Sequence, residues 1–254
     1  MLSTPKLKGA IAVPAELTGP AEDQFEERLR VMLDTRPPTV LLDCAALQQV
    51  TSRHIELLWR TQLRCQRCTT EVRLENPTRG LIRVLTVLDL ADLFRCTPPD
   101  TGAAPVTAAP ASGPVKANYK DTFGPAVKAV VPASDRYDLF LAGLPVPELI
   151  RFELRTIFYE VANNICQHGG ISDESPIRFW AEYGTARVMM TFTDTGRAYD
   201  PTAADGDFDP RAAARKRRVR GFGIPMVRRM TDAMSYVRSA DGRNILTIVK
   251  TWSV

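Results

Sequence analysis

Tyr159-Glu160-Val161-Ala162-Asn163-Asn164-Ile165-Cys166-Gln167-His168-Gly169 is the stretch whose reading decides the fold of the larger half of this 254-residue chain. Glu160, Asn164 and His168 recur every fourth residue. A helix turns by about 100° per residue, so these side chains fall on one stripe spanning roughly 80°. Leu154, Phe158, Val161 and Ile165 form an apolar stripe beside it. Pro145 and Pro147 stand before the periodic segment and Gly169-Gly170 after it, which predicts one long helix over 148–168. A polar stripe bordering an apolar one places polar groups at a pocket wall while the helix packs on a core. A carboxylate and a carboxamide one turn apart suit a metal, water and phosphate site. The same pattern also suits a solvated helix face, and the flanking sequence decides between the two.

Outward from this helix, residues 177–183 and 186–193 read as strands around a turn at Gly184. Asp194-Thr195-Gly196-Arg197-Ala198-Tyr199-Asp200-Pro201 closes the second strand. A polar loop follows, carrying Asp205, Asp207 and Asp209 and then Arg211, Arg215, Lys216, Arg217, Arg218 and Arg220. It reads either as a lid whose basic half reaches phosphates or as a solvated charged loop. Gly221-Phe222-Gly223 then opens a helix to about Met234, and 235–238 and 244–251 read as strands around Asp241-Gly242. Upstream of the central helix, 128–131 and 137–141 also read as strands.

The helical Glu160/Asn164 pair, the Asp194 loop and the Gly221/Gly223 turn, in that order, resemble the Bergerat-fold ATPases, the group of histidine kinases, gyrase, Hsp90 and MutL. Within that group, DTGRAYDP (194–201) and GIPMVRRMTDAMSY (223–236) look most like the anti-sigma-factor serine kinases. The resemblance covers about residues 125–252. It implies an α/β sandwich that binds ATP with Mg²⁺. Asn164 then offers an oxygen to Mg²⁺, a hard cation that prefers oxygen ligands and phosphates. Glu160 serves as general base near the γ-phosphate. Asp194 accepts from the adenine amine, and Gly196 lets the backbone approach the ring. Gly221 and Gly223 lead into a helix N-terminus whose free amides favour phosphate. The chain departs from the family in two places. Val219 stands where the family usually has its first loop glycine, and Asn163-Asn164 offers two asparagines, of which the spacing from Glu160 favours Asn164. His168 stays unassigned.

The first part of the chain is separated by TPPDTGAAPVTAAPASGPV (97–115), which has no bulky apolar periodicity and reads as a flexible linker. The expected organisation is residues 1–96, a linker over 97–117 and a second domain over 118–254. Before the linker, strand readings at 9–13, 39–43 and 71–74 alternate with helix readings at 23–33, 54–68 and 80–88. This alternation predicts a sheet covered by helices. VLLDCAALQQVTSRHIELLWR (40–60) and LENPTRGLIRVLTVLDLADLF (74–94) resemble a STAS domain, the fold of anti-sigma-factor antagonists, and that resemblance implies a mixed sheet. In that family a Ser or Thr at a helix start accepts a phosphate. Here Arg53 stands at that place, and Ser52 and Thr51 beside it are the candidate phosphoacceptors, each equally suited to cap the helix.

The bulk numbers agree with a two-domain protein of ordinary composition, 44% hydrophobic and 24% charged. A net charge of +4 does not by itself argue for a nucleic-acid partner, and none is expected. The start lacks an apolar signal segment and no run is long enough to span a membrane. Five scattered cysteines, Cys44, Cys65, Cys68, Cys96 and Cys166, fit a reducing cytoplasm. Cys65 and Cys68 lack a second pair, so zinc is not expected. The two resemblances together imply a cytoplasmic serine/threonine protein kinase that switches partners among STAS-domain antagonists and a sigma factor. The fused first domain could occupy the kinase surface, and kinases of this type often form homodimers. Val219 and Arg53 support a second reading, a non-catalytic adaptor that works through protein contacts alone.

Overall fold

The structure, a computed structural model, describes residues 9–94, 117–172, 175–203 and 221–253. The chain divides into two compact units, both α/β. In the first, β1 (Ile11–Ala12), β2 (Thr39–Asp43) and β3 (Glu71–Glu75) form a sheet in the order β1-β2-β3. Each neighbouring pair is parallel, where the sequence implied a mixed sheet. Val40 and Leu42 of β2 are fully buried. Helices α1 (Gly19–Asp34), α2 (Ser52–Arg67) and α3 (Arg79–Val87) bring Phe25, Leu29, Ile55, Leu58 and Leu85 to the same core. Glu22 of α1 holds Arg53 at 3.0 Å and also Arg60, and Glu26 holds Arg64. The basic side of α2 is thereby matched to the acidic start of α1. A short 3₁₀ turn, Ala91–Phe94, closes the described part of this segment.

The second unit is built on β4 (Ala117–Phe123), α4 (Val130–Ala142), α5 (Glu148–His168), β5 (Ile177–Tyr183), β6 (Arg187–Asp194), α6 (Gly223–Met230), β7 (Ala233–Arg238) and β8 (Asn244–Thr251). Its five strands run β4-β5-β6-β8-β7, antiparallel throughout. Strict alternation buries Phe179, Ala181 and Tyr183 of β5, Val188, Met190 and Phe192 of β6, and Leu246 and Ile248 of β8 on one face. α5 meets that face with Phe158, whose ring lies edge-on to Phe179 at 4.7 Å. Tyr137 of α4 lies 5.2 Å from Phe158. The Lys250 ammonium of β8 lies 2.7 Å from the Glu153 carboxylate of α5, an ion pair almost wholly out of water.

Three sequence expectations change here. The segments 128–131 and 137–141 are not strands: a 3₁₀ turn at Val127–Ala129 leads into α4. Buried Val130, Ala133, Tyr137 and Leu141 recur at helical spacing, and Pro132 sits in the first turn, where its missing N–H costs nothing. The short Val130-Val131 run imitates a strand because β-branched residues favour strands locally. Edge strand β4, a segment to which the sequence reading assigned no element, begins at Ala117, so the expected linker's last residue is already paired. α6 ends at Met230, four residues before the expected limit. Among the described residues, no helix is long and apolar enough to cross a membrane.

Candidate functional site

α5 has the bounds that the sequence predicted. Its two asparagines face different surroundings. Asn163 is buried, and its Oδ1 accepts from Gln167 Nε2 at 3.3 Å. Asn164 lines a cavity, and its Nδ2 is shut off from solvent without a hydrogen-bond partner among the described residues. Asn163 is thus tied to its own helix, and Asn164 is the asparagine of α5 that faces the cavity. Glu160, one turn earlier, is almost fully buried and lies outside the cavity lining. His168 joins Asn164 on the cavity wall, and Val161 and Ile165 supply its apolar side.

The opposite wall comes from the ends of β6 and β8. Asp194 is the last residue of β6 and is buried. Its Oδ1 accepts two hydrogen bonds, from the Gly196 amide at 2.7 Å and from Asn244 Nδ2 at 2.7 Å. Gly196 cannot carry a side chain here: a Cβ would stand 2.5 Å from the Gly169 carbonyl oxygen. The next amide, of Arg197, donates to that same carbonyl at 2.6 Å. The Asp194 loop is thus fastened onto the end of α5, where Gly170 takes a left-handed φ of 57° and the Arg197 side chain packs against it. Tyr199 and Leu246 complete the rim.

Glu160, Asn164, Asp194, Gly196 and Gly223 all belong to the second unit, with Gly223 buried at the start of α6 and Ile224 beside it lining the cavity. Gly221 groups with the first unit, where its amide donates to a Glu56 carboxylate oxygen at 3.2 Å. Val219 and the charged loop over 205–220 lie outside the described residues, as does most of the expected linker. In the first unit Ser52 begins α2 and is half-buried. Thr51 is engaged: its amide donates to His54 Nδ1 at 3.1 Å and its hydroxyl lies 2.8 Å from the same nitrogen. His54 Nε2 faces the Pro14 carbonyl at 3.2 Å. Nδ1 is therefore the acceptor and Nε2 carries the proton, in a neutral ring that burial pushes down to a pKa of about 4. Thr51 and His54 together form the capping box at the start of α2. The Cys65 thiol is buried and pushed up to about 11, the opposite of a zinc ligand's tendency. Among the described residues no group of three or more His, Cys, Asp or Glu could cage a metal ion.

The sequence reading missed Asn244. It pairs with Asp194 across β6–β8 and with Arg238 across β7–β8. Strand register alone brings it to the site, and the only signal was its place as first residue of the closing strand.

Residues 126–250 match the family model described as the histidine kinase-like ATPase domain. That match spans α4 to β8 and contains the whole cavity lining. No curated protein matches the chain. Among solved structures, the chain is similar to one in the crystal structure of the SiaB–SiaC complex from Pseudomonas aeruginosa, at 13% identity and a TM-score of 0.40 over 54% of this chain and 91% of that one.

Proposed function

We propose that the second unit binds Mg-ATP in the cavity between α5 and the β6–β8 wall. On this reading it acts as an anti-sigma-factor-like serine/threonine kinase in partner switching with STAS-domain proteins. The observation that carries the reading is the juxtaposition of Asn164 and Asp194 around one cavity, with the Gly196 amide bonded to Asp194, inside the segment that matches the ATPase family model. The functional organisation that goes with it is a STAS-like module over 1–96, a linker over 97–117 and the kinase module over 118–254.

The residues present fit the nucleotide and its metal. Asp194 keeps Oδ2 clear of any hydrogen bond among the described residues, and so can accept from an adenine amine. Asn164 has a carboxamide on the cavity wall, whose oxygen suits Mg²⁺. The metal, when bound, supplies positive charge against the β- and γ-phosphate oxygens. Gly223 and the start of α6 direct backbone amides toward an anion. Glu160 takes the proton from the attacking hydroxyl as that oxygen bonds to Pγ. The bond from Pγ to the β,γ-bridging oxygen breaks, leaving ADP and a phosphoserine or phosphothreonine. Partner switching follows if a STAS protein and a sigma factor bind the ATP and ADP states with different affinity. Ser52, the first residue of α2, is the residue of this chain that a transfer within or between copies would modify.

The test incubates the full chain with γ-labelled ATP, alone and with STAS-domain proteins. Label on a Ser or Thr, lost in Glu160→Gln, is the expected result. Binding of ATP with no transfer to any protein removes the kinase and leaves an adaptor. Self-labelling that survives Ser52→Ala removes Ser52 as the acceptor.

A further inference from the structure

The β7–β8 hairpin carries a polar network that the nucleotide reading does not yet use. Asp194, Asn244 and Arg238 stand in register on three adjacent strands, so their side chains line up across the sheet. Asn244 Nδ2 donates to Asp194 Oδ1 at 2.7 Å and to the Arg197 carbonyl at 3.0 Å. Asn244 Oδ1 accepts from Tyr236 Oη at 2.7 Å and from Arg238 Nη1 at 2.6 Å. Arg238 Nη1 also reaches the Gly196 carbonyl at 2.7 Å. The orientation of the amide is forced. A flip would turn its NH₂ toward a guanidinium that can only donate, and its oxygen toward a carboxylate that can only accept. Only a carboxamide offers donors on one side and an acceptor on the other at this length. A serine or threonine hydroxyl has one proton to give, and an aspartate would set two carboxylates against each other.

We infer that Asn244 is a positioning residue for base selection, which fixes the Asp194 carboxylate so that a purine is chosen by its 6-amino group. This rests on the proposed nucleotide site and deepens it. With Oδ1 taken by Gly196 and Asn244, Oδ2 is the oxygen left, among the described residues, to meet the base. The carboxylate cannot turn about its last bond without breaking both bonds. A 6-amino purine donates to the fixed oxygen. A 6-oxo purine brings a second acceptor against it, and a purine bare at that position leaves it unpaired. Without Asn244 the carboxylate can rotate or take a water, and the three bases become nearly equal.

The test is competition of ATP, inosine triphosphate and purine riboside triphosphate against trinitrophenyl-ATP fluorescence on the full chain, with Mg²⁺. Inosine triphosphate differs from ATP at the 6-position and also carries a proton on N1, so purine riboside triphosphate, which keeps the bare N1 of adenine, isolates the 6-amino group. The wild type should prefer ATP over both others by about tenfold or more. In Asn244→Ala, ATP should weaken about tenfold while the other two change little, so the preference collapses. Asn244→Thr, which keeps one donor toward Asp194, should restore part of it. A uniform weakening of all three ligands in Asn244→Ala would reduce Asn244 to scaffolding and overturn the inference, as would an unchanged preference. If Asn244→Ala does not melt cooperatively, the double variant Tyr236→Phe/Arg238→Met carries the test, because it removes both donors to Asn244 Oδ1 and leaves Asn244 in place. A preference intact in that double variant then overturns the inference. A wild type that binds none of the three overturns the nucleotide site and this inference together. A wild type that prefers ATP while the variants keep its preference overturns this inference alone.

Discussion

At the β6 end of the cavity both polar atoms of the Asn244 side chain are engaged, whereas across the cavity on α5 the Asn164 amide nitrogen is buried with no partner among the described residues. The two asparagines sit on elements of the same unit and line the same space. One is held from four sides before any ligand arrives, and the other is left with a desolvated group, which costs roughly 1–3 kcal/mol. The difference divides the work. Groups that recognise a constant shape, a base edge, can be fixed in advance, because pre-organisation lowers the cost of binding. Groups that meet phosphates and a metal are finished by the ligand itself, since Mg²⁺ draws most of its oxygens from phosphates and water. The base end is therefore expected to set selectivity, and the phosphate end to set turnover and metal dependence.

Four outcomes break or sharpen this division, taken from the largest effect to the smallest. Glu160→Gln should lower phosphotransfer by about 10²–10⁴-fold while ATP affinity changes less than about threefold, read by single-turnover labelling beside a binding titration. A parallel loss of affinity would erase the distinction between the ends. In the first unit, the Thr51–His54 cap is wired as completely as the base end, and its protonation tests what such wiring contributes. His54 titrates near 4 when folded against 6.5 when free, so between these values the unfolded chain binds the extra proton. The cap's stability is whole above about pH 6.5 and falls away as pH drops toward 4, by about 3 kcal/mol. Urea midpoints measured over that range should lose this slope in His54→Gln.

Gly196→Ala should cost about 1–3 kcal/mol and disturb the base loop, because the new methyl meets the Gly169 carbonyl at 2.5 Å. Gly143→Ala, whose nearest neighbour stands at 3.5 Å, is the control and should be neutral in a thermal melt. Asn164→Ala is the smallest change. It should leave stability level or slightly raised, since it removes an unpaired buried group. It should also weaken ATP about tenfold in Mg²⁺ and not at all in EDTA, measured by calorimetry.

The reading of α5 succeeded because its signals agree. The apolar stripe, the prolines before it and the paired glycines after it all describe one helix, and both ends fell where expected. α4 failed for the reverse reason. Its Val130-Val131 opening favours a strand, and only burial of Tyr137 and Leu141 against α5 and the sheet makes the longer helical period win. Strand β4 was hidden because an edge strand can be polar along most of one side, as Asn118, Lys120 and Thr122 are. Asp194 and Gly196 were legible from a turn motif. Asn244 was not, because nothing local marks it: it enters through two strand registers at once. Gly169-Gly170 was legible as a helix stop, yet its second use, letting the Gly196 loop dock on the helix end, depends on a contact far along the chain.

The central claim is that the cavity between α5 and the β6–β8 wall is an adenine-nucleotide site centred on Asp194. Its most direct test is a calorimetric titration of the full chain with Mg-ATP beside Mg-GTP, repeated on Asp194→Asn. Saturable binding of ATP, at least about tenfold tighter than GTP, with that preference abolished in Asp194→Asn, is the predicted result. Equal binding of the two nucleotides, or ATP binding that Asp194→Asn leaves untouched, would contradict it.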